Sequence, residues 1–131
     1  MSTISKSRDL SLEEIEDFGA ELDALRKETM ASLGKKEADY IYGVRNFVRY
    51  TEIAGRTSLM LGWLPPFWLA GTALLGVSKI VENMELGHNV MHGQYDWMND
   101  STLRGNDYEW DTVCTADNWR HTHNFMHHTY T

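Results

Sequence analysis

Histidine is the residue type with the clearest chemical pattern in this chain of 131 residues. Two of its six histidines, His88 and His92, are four residues apart, a separation that places two side chains on one face of a helix. The remaining four form a second cluster, at His121, His123, His127 and His128. Two groups of imidazoles on facing helices can surround a metal without any sulfur ligand. The pattern therefore indicates a metal site.

Ligand type alone does not choose the metal, because imidazole suits iron, copper, zinc and nickel. A single histidine pair at helical spacing is usually a surface coincidence or a core residue with satisfied hydrogen bonds. That explanation is much weaker here, since all six histidines fall into two clusters and the second ends in His127-His128. We therefore expect these clusters to bind metal.

An uncharged segment before the first cluster must help to position it. No charged residue occurs from Thr57 to Ser78, and this run is long enough for a bilayer helix of about 20 residues. A buried core helix of a soluble protein is the alternative. Proline ends one helix and favours the first turn of the next, so Pro65-Pro66 should interrupt the run. The sequence predicts a transmembrane helix or a hairpin bent at these prolines, and we favour the hairpin or a half-inserted arrangement.

The charges around this segment predict its orientation. A helix expected from about residue 37 to 62 carries a basic side, formed by Arg45, Arg49 and Arg56. Basic residues favour the cytoplasmic face of a membrane, and a hairpin would return the histidines to the same face. We therefore expect an integral membrane protein whose histidine clusters face the cytoplasm. An amphipathic helix packed on a soluble core would show the same periodicity.

The other segments give an all-α fold class: a helical membrane protein fragment with amphipathic N-terminal helices and a cytoplasmic, histidine-bearing helical region. Residues 1–39 read as a soluble acidic extension, with a capping box at Ser11-Leu-Glu-Glu14. We expect Gly93 to end the first histidine helix, residues 94–111 to form an irregular loop, and Asp117 to begin the second histidine helix. The formal net charge of −7 argues against a nucleic-acid partner.

The two clusters have the forms HxxxH and HxxxHH, and they resemble the first two histidine boxes of the integral-membrane fatty acid desaturases. The sequences around them, residues 82–97 and 119–130, resemble bacterial members closely. On this resemblance, residues 40–131 are the N-terminal part of a desaturase domain. Family members carry a third box further downstream that this sequence does not include. We therefore expect the isolated chain to be an incomplete, inactive portion of the enzyme.

The resemblance implies an oxidoreductase that uses O₂ to introduce a double bond into an acyl chain at a di-iron centre. It implies five iron ligands, which are His88, His92, His123, His127 and His128. His121 lies outside the minimal motif and is a further candidate, as a ligand or as a support for one. Other side chains could hydrogen-bond a ligating imidazole from behind, and the candidates are Glu85, Asn89 and Asp96. The resemblance gives no catalytic residue beyond the metal ligands.

The implied partners are a fatty acyl substrate, carried by CoA, acyl carrier protein or lipid, together with membrane lipid. Electrons would come from an external donor such as a ferredoxin, cytochrome b5 or an oxidoreductase. A membrane hydroxylase or alkane monooxygenase is the nearest alternative, because similar boxes serve there. A non-catalytic metal-binding membrane fragment is another. A soluble zinc-binding helical protein is disfavoured by the uncharged run.

Overall fold

The computed structural model describes residues 10–110, 112 and 114–131, and every regular element within them is helical. This confirms the all-α fold class. The three long helices are α1 (Leu12–Ser32), α2 (Lys35–Met60) and α3 (Pro65–Val81). The chain divides into two compact units after Glu37, each described here by itself. The functional division into residues 1–39 and 40–131 stays a prediction, and residues 1–9 lie outside the described part.

Helix α1 begins with the predicted capping box. The Ser11 hydroxyl accepts a hydrogen bond from the Glu14 backbone N–H at 3.2 Å, and the Glu14 carboxylate accepts one from the Ser11 N–H at 2.9 Å. These bonds satisfy two of the amide groups that a helix start leaves without intrahelical partners. No residue of α1, which lies wholly within the described part of the chain, is buried. Local interactions therefore carry much of its stability.

Helices α2 and α3 form the hairpin predicted at the proline pair. Chain reversal occurs between Met60 and Pro65, and proline occupies the first turn of α3. Two glycines allow the helices to approach closely: a Cβ added to Gly71 would lie 2.9 Å from the carbonyl oxygen of Gly55. Further along, the buried Ser78 hydroxyl donates to a backbone oxygen of α2 at 3.0 Å. The hairpin is thus a packed pair of helices.

The predicted transmembrane helix is not supported. Among the residues that the structure describes, no helix combines the length and the apolar character needed to cross a bilayer. The uncharged run from Thr57 to Ser78 is shared between the end of α2, a turn, and α3, which has 17 residues. The turn therefore divides the run before a single helix reaches the roughly 20 apolar residues that a bilayer requires.

Helix α3 continues into a π-helix, Glu82–Gly87, and then into α4, His88–Met91. The Glu82 side chain is 0% exposed. Its two carboxylate oxygens face Lys79 Nζ at 3.1 Å and Arg49 Nη1 at 3.3 Å, the latter from α2. A buried carboxylate is costly unless nearby cations or hydrogen bonds compensate its charge, so Glu82 depends on these two partners. The pairing therefore fixes the start of the first histidine segment against α2.

The apolar core joins α2 to the histidine-bearing segments and to the chain between them. Its buried members are Ile41, Val48, Leu86, Val90, Met91, Leu103, Tyr108 and Ala116. Gly93 ends the first histidine helix with a φ of 71°, as predicted, because glycine accepts the left-handed region without strain. The following chain is irregular apart from two short 3₁₀ turns, Asp96–Met98 and Ser101–Leu103, and Asp111 lies outside the described residues.

The second histidine helix comprises α5 (Ala116–Trp119), a π-helix (Arg120–His127) and α6 (His128–Tyr130). The prediction that Asp117 caps it is wrong. Thr115 is the N-cap, and its hydroxyl accepts from the Asn118 N–H at 3.3 Å. Asp117 lies inside the helix, where its carboxylate pairs with Arg120 at 2.7 Å. Both threonine and aspartate can cap a helix, so the sequence offered two starts that only the backbone path separates.

We expect Gly71→Ala to lower the free energy of unfolding by about 1–3 kcal/mol, because the added methyl meets backbone that cannot rotate away. Gly76→Ala is a matched control on the same helix, since a Cβ there meets nothing within 4 Å. Helix propensity should make the control neutral or more stable by up to about 1 kcal/mol. Thermal unfolding followed by circular dichroism measures both. Equal melting temperatures in the two variants would contradict the close packing.

Candidate metal centre

Three histidines from the two clusters meet at one place. His88, His92 and His123 each offer one ring nitrogen, and these atoms all lie within 4.8 Å of one another. The ring centroids are 4.7 Å apart for His88 and His92, 4.8 Å for His88 and His123, and 5.2 Å for His92 and His123. All three residues are half-buried. The fold therefore brings both clusters into one group of imidazoles.

The spacing of these nitrogens fits a metal ion. With metal–nitrogen bonds of about 2.1 Å, two nitrogens on one ion lie at most about 4.2 Å apart. A small rotation of the rings would therefore close the group around an ion. The Nε2 atom of His123 is buried and has no hydrogen-bond partner among the described residues. Buried polar atoms are normally satisfied, so this nitrogen is well suited to a ligand that the chain itself does not supply.

We call His88, His92 and His123 the centre. Of the other three histidines, two lie beside the centre and one lies outside it. His128 borders the centre, with its ring 4.9 Å from that of His123 and 5.1 Å from that of His92. His127 stacks beside His123 at 5.2 Å, and its Nδ1 lies 2.6 Å from the Thr131 hydroxyl. His121 is exposed and stacks on Phe125 at 5.7 Å instead. The structure thus gathers five of the six predicted residues, and their roles as ligands stay a prediction.

The π-helical geometry decides which histidines face the centre. Hydrogen bonds in a π-helix join residues five apart, so each turn holds an extra residue compared with an α-helix. His123 and His128 are five apart, which brings their rings together across the π-helix Arg120–His127. The sequence indicated an α-helical period here and gave no sign of this widening. Short π-helices are rare and often occur at functional sites.

The centre favours neutral imidazoles. Burial is the main cause that lowers the pKa of His92 and of His123 below the ordinary histidine value. Neighbouring imidazoles lower it further, because a second positive charge among His88, His92, His123 and His128 would repel the first. Neutral imidazole is the form that binds metal, so the surroundings keep the rings ready for coordination near neutral pH.

Two side chains that sequence reasoning missed hold the second cluster in place. Arg120 donates from Nε to the Gly105 carbonyl at 2.9 Å, and from Nη2 to the carbonyl of Tyr108. Asn124 donates from Nδ2 to the Met91 carbonyl at 2.9 Å, directly at the end of the first histidine helix. Their one sequence signal was a position next to the histidines of the second cluster. A polar residue there is usually read as solvent-facing.

The predicted supports of the ligands form other hydrogen bonds in the described structure. The Glu85 carboxylate accepts from the Tyr40 hydroxyl at 3.5 Å, a long contact. Asn89 donates to the Glu85 backbone oxygen at 2.7 Å, and the Asp96 carboxylate accepts from the Gly105 N–H at 2.8 Å. The bond of Asp96 closes the irregular segment between the clusters. A role for these three residues in orienting an imidazole stays a prediction.

The fold and the site together define a helical protein with a cluster of imidazoles that is compatible with metal binding. The chain is 47% identical over 118 residues to a protein of Mycobacterium tuberculosis (strain H37Rv) named NADPH-dependent stearoyl-CoA 9-desaturase, and equally so to its counterpart in strain CDC 1551. Each match covers 90% of this chain and 28% of the relative. No family model matches the chain, and no solved structure matches it significantly. The similarity confirms that the chain is related to a desaturase.

We expect Arg120→Lys to lower the free energy of unfolding by about 1–3 kcal/mol. The guanidinium of Arg120 donates from separate nitrogens to two carbonyls and a carboxylate, and the compact ammonium of lysine cannot reach all three acceptors. Arg104→Lys is the control, since Arg104 is half-exposed and its carboxylate partner is 3.7 Å away. That change should stay within about 0.5 kcal/mol. Urea denaturation measures both. A loss of equal size in the two variants would contradict the role of Arg120.

Proposed function

We propose that this chain supplies the first two histidine boxes of an iron-dependent fatty acid desaturase. The observation that carries the proposal is the meeting of His88, His92 and His123, which come from both boxes, within 4.8 Å. Similarity to proteins named as stearoyl-CoA desaturases supports the same reading. The reaction, in the whole enzyme, is the O₂-dependent introduction of a double bond into a fatty acyl chain.

The donor set suits iron in this role. When bound, a pair of iron ions would supply the oxidation of unactivated C–H bonds with O₂. His88, His92 and His123 hold the metal as neutral imidazoles, and no thiolate that such chemistry would oxidise takes part. Two ions need more ligands than three imidazoles provide. We assign the next two places to His127 and His128, whose exposed rings border the centre.

The names of the relatives also suggest the partners. They specify stearoyl-CoA and NADPH, so we propose an acyl-CoA substrate and electrons that derive from NADPH. A ferredoxin, cytochrome b5 or oxidoreductase would deliver these electrons to the metal. The half-buried setting of the histidines leaves an open side through which an acyl chain and O₂ can approach.

We expect the chain to bind Fe²⁺ under anaerobic conditions and His123→Ala to weaken this binding at least about tenfold, since it removes a central ligand. His121→Ala is the matched control, because its exposed ring lies against Phe125 and outside the centre. Equilibrium dialysis with iron analysis measures affinity and stoichiometry. Failure of the unaltered chain to retain iron, or equal losses in both variants, would contradict the proposed centre.

We also propose that the tip of the α2–α3 hairpin enters the cytoplasmic leaflet of a membrane, which leaves the histidine boxes on the cytoplasmic side. Large apolar side chains crowd this tip, with Met60 82%, Trp63 76% and Trp68 53% exposed. The segment around them carries no charge. Tryptophan favours the interface between lipid and water, and exposed apolar patches of this kind mark sites of association.

We expect the chain to sediment with phosphatidylglycerol and phosphatidylcholine vesicles, and Trp63→Ser combined with Trp68→Ser to weaken the partition about tenfold or more. Tyr50→Ser serves as the control, because Tyr50 is an exposed aromatic residue on α2 outside the uncharged run. It should leave partitioning nearly unchanged. If the double variant binds vesicles as tightly as the unaltered chain, the hairpin tip is not the anchor.

A further inference from the structure

Trp119 touches every histidine of the central group. Its indole stacks on the His123 ring, with the centroids 4.2 Å apart and the planes inclined by 18°. The same indole meets His88 at 5.3 Å and His92 at 5.7 Å, both with steep interplanar angles. The Trp119 side chain thus packs against all three imidazoles.

A second indole holds Trp119 from behind. The rings of Trp110 and Trp119 meet edge to face at 5.6 Å. Trp110 is itself fixed, because its Nε1 donates to the Cys114 carbonyl at 2.9 Å and its ring packs over Gly87. A Cβ on Gly87 would lie only 2.7 Å from that ring, so glycine beside the first histidine makes room for it. Trp119 is therefore wedged between a fixed indole and His123.

We infer that Trp119 is a positioning residue of the metal centre. Its stacked ring stops His123 from rotating away, so that one ring nitrogen of His123 stays near those of His88 and His92. The indole also packs edge to face against the rings of His88 and His92. This inference rests on the proposed metal centre and adds the residue that shapes it.

Co²⁺ titration of the full chain tests the inference, because the d–d absorption of cobalt reports its ligands directly. Trp119→Leu removes the aromatic stack and should weaken Co²⁺ binding about tenfold or more, the range seen when residues that orient ligands are changed. Trp119→Phe keeps an aromatic face and should restore affinity to within a few-fold. Trp97→Leu is the matched control: Trp97 is half-buried on the same core, and no ring contact joins it to a histidine among the described residues. Circular dichroism checks that each variant is folded.

Indole fluorescence gives a second reading of the same titration. Bound Co²⁺ quenches neighbouring indoles, so Trp119→Phe should reduce the metal-dependent quenching more than Trp97→Phe does. Unchanged affinity and cobalt spectrum in folded Trp119→Leu would overturn the inference and leave the metal centre standing. Equal weakening in the leucine and phenylalanine variants would overturn it too, because lost volume would then be the cause. Absence of Co²⁺ binding by the unaltered chain would overturn the metal centre itself.

Discussion

The guanidinium of Arg120 is the contact on which the relative placement of the two histidine clusters depends. It donates to the carbonyls of Gly105 and Tyr108 and pairs with Asp117 beside it on the helix. Only a planar group with several fixed N–H donors can serve three acceptors in this way. The two carbonyls belong to the segment between the clusters. Arg120 therefore holds the π-helix Arg120–His127 against the segment between the clusters, and this segment packs on the first histidine helix at Gly105.

The first cluster has its own anchor in Glu82. This buried carboxylate is held between Arg49 of α2 and Lys79 of α3, which fixes where the first π-helix begins. Burial, with the nearby Glu82 charge as a second cause, raises the pKa of Tyr108 to about 12, so the phenol stays protonated beside the pair. An ionic contact of this kind is demanding, since a shift of α2 would take Arg49 away from a buried carboxylate. Arg120 and Glu82 thus restrain the two sides of the centre separately.

These restraints suggest how the proposed membrane contact and the metal centre work together. The helix that begins at Pro65 in the hairpin tip runs through α3 and the first π-helix to His88. Its path is roughly 30 Å long at about 1.5 Å per residue. If the tip enters a leaflet, the histidines stand away from it, where a soluble electron donor can reach them.

Local signals in the sequence determined the start of α1, the start of α3 and the end of the first histidine helix. These signals are the capping box at Ser11, the proline at the start of α3 and the glycine after His92. Each acts through the backbone of its own turn, so the local sequence is enough to predict it. The histidine spacing likewise indicated a metal site before any fold was known. The exposed surface of α1 also agrees with its acidic sequence.

Only the tertiary structure decided which histidines meet. The π-helix Arg120–His127 changed the angular period, so the His128 ring lies near that of His123 while His121 lies against Phe125. Three further features depend on residues distant in the sequence. They are the ion pair of Glu82 with Arg49, the packing of Trp119 on His88, and the hydrogen bond of Arg120 to Gly105. The proline pair did predict the turn before α3, but the close approach of α2 and α3 at Gly55 and Gly71 appears only in the structure. Contacts between distant segments set these features, and a pattern confined to one stretch of chain does not contain them.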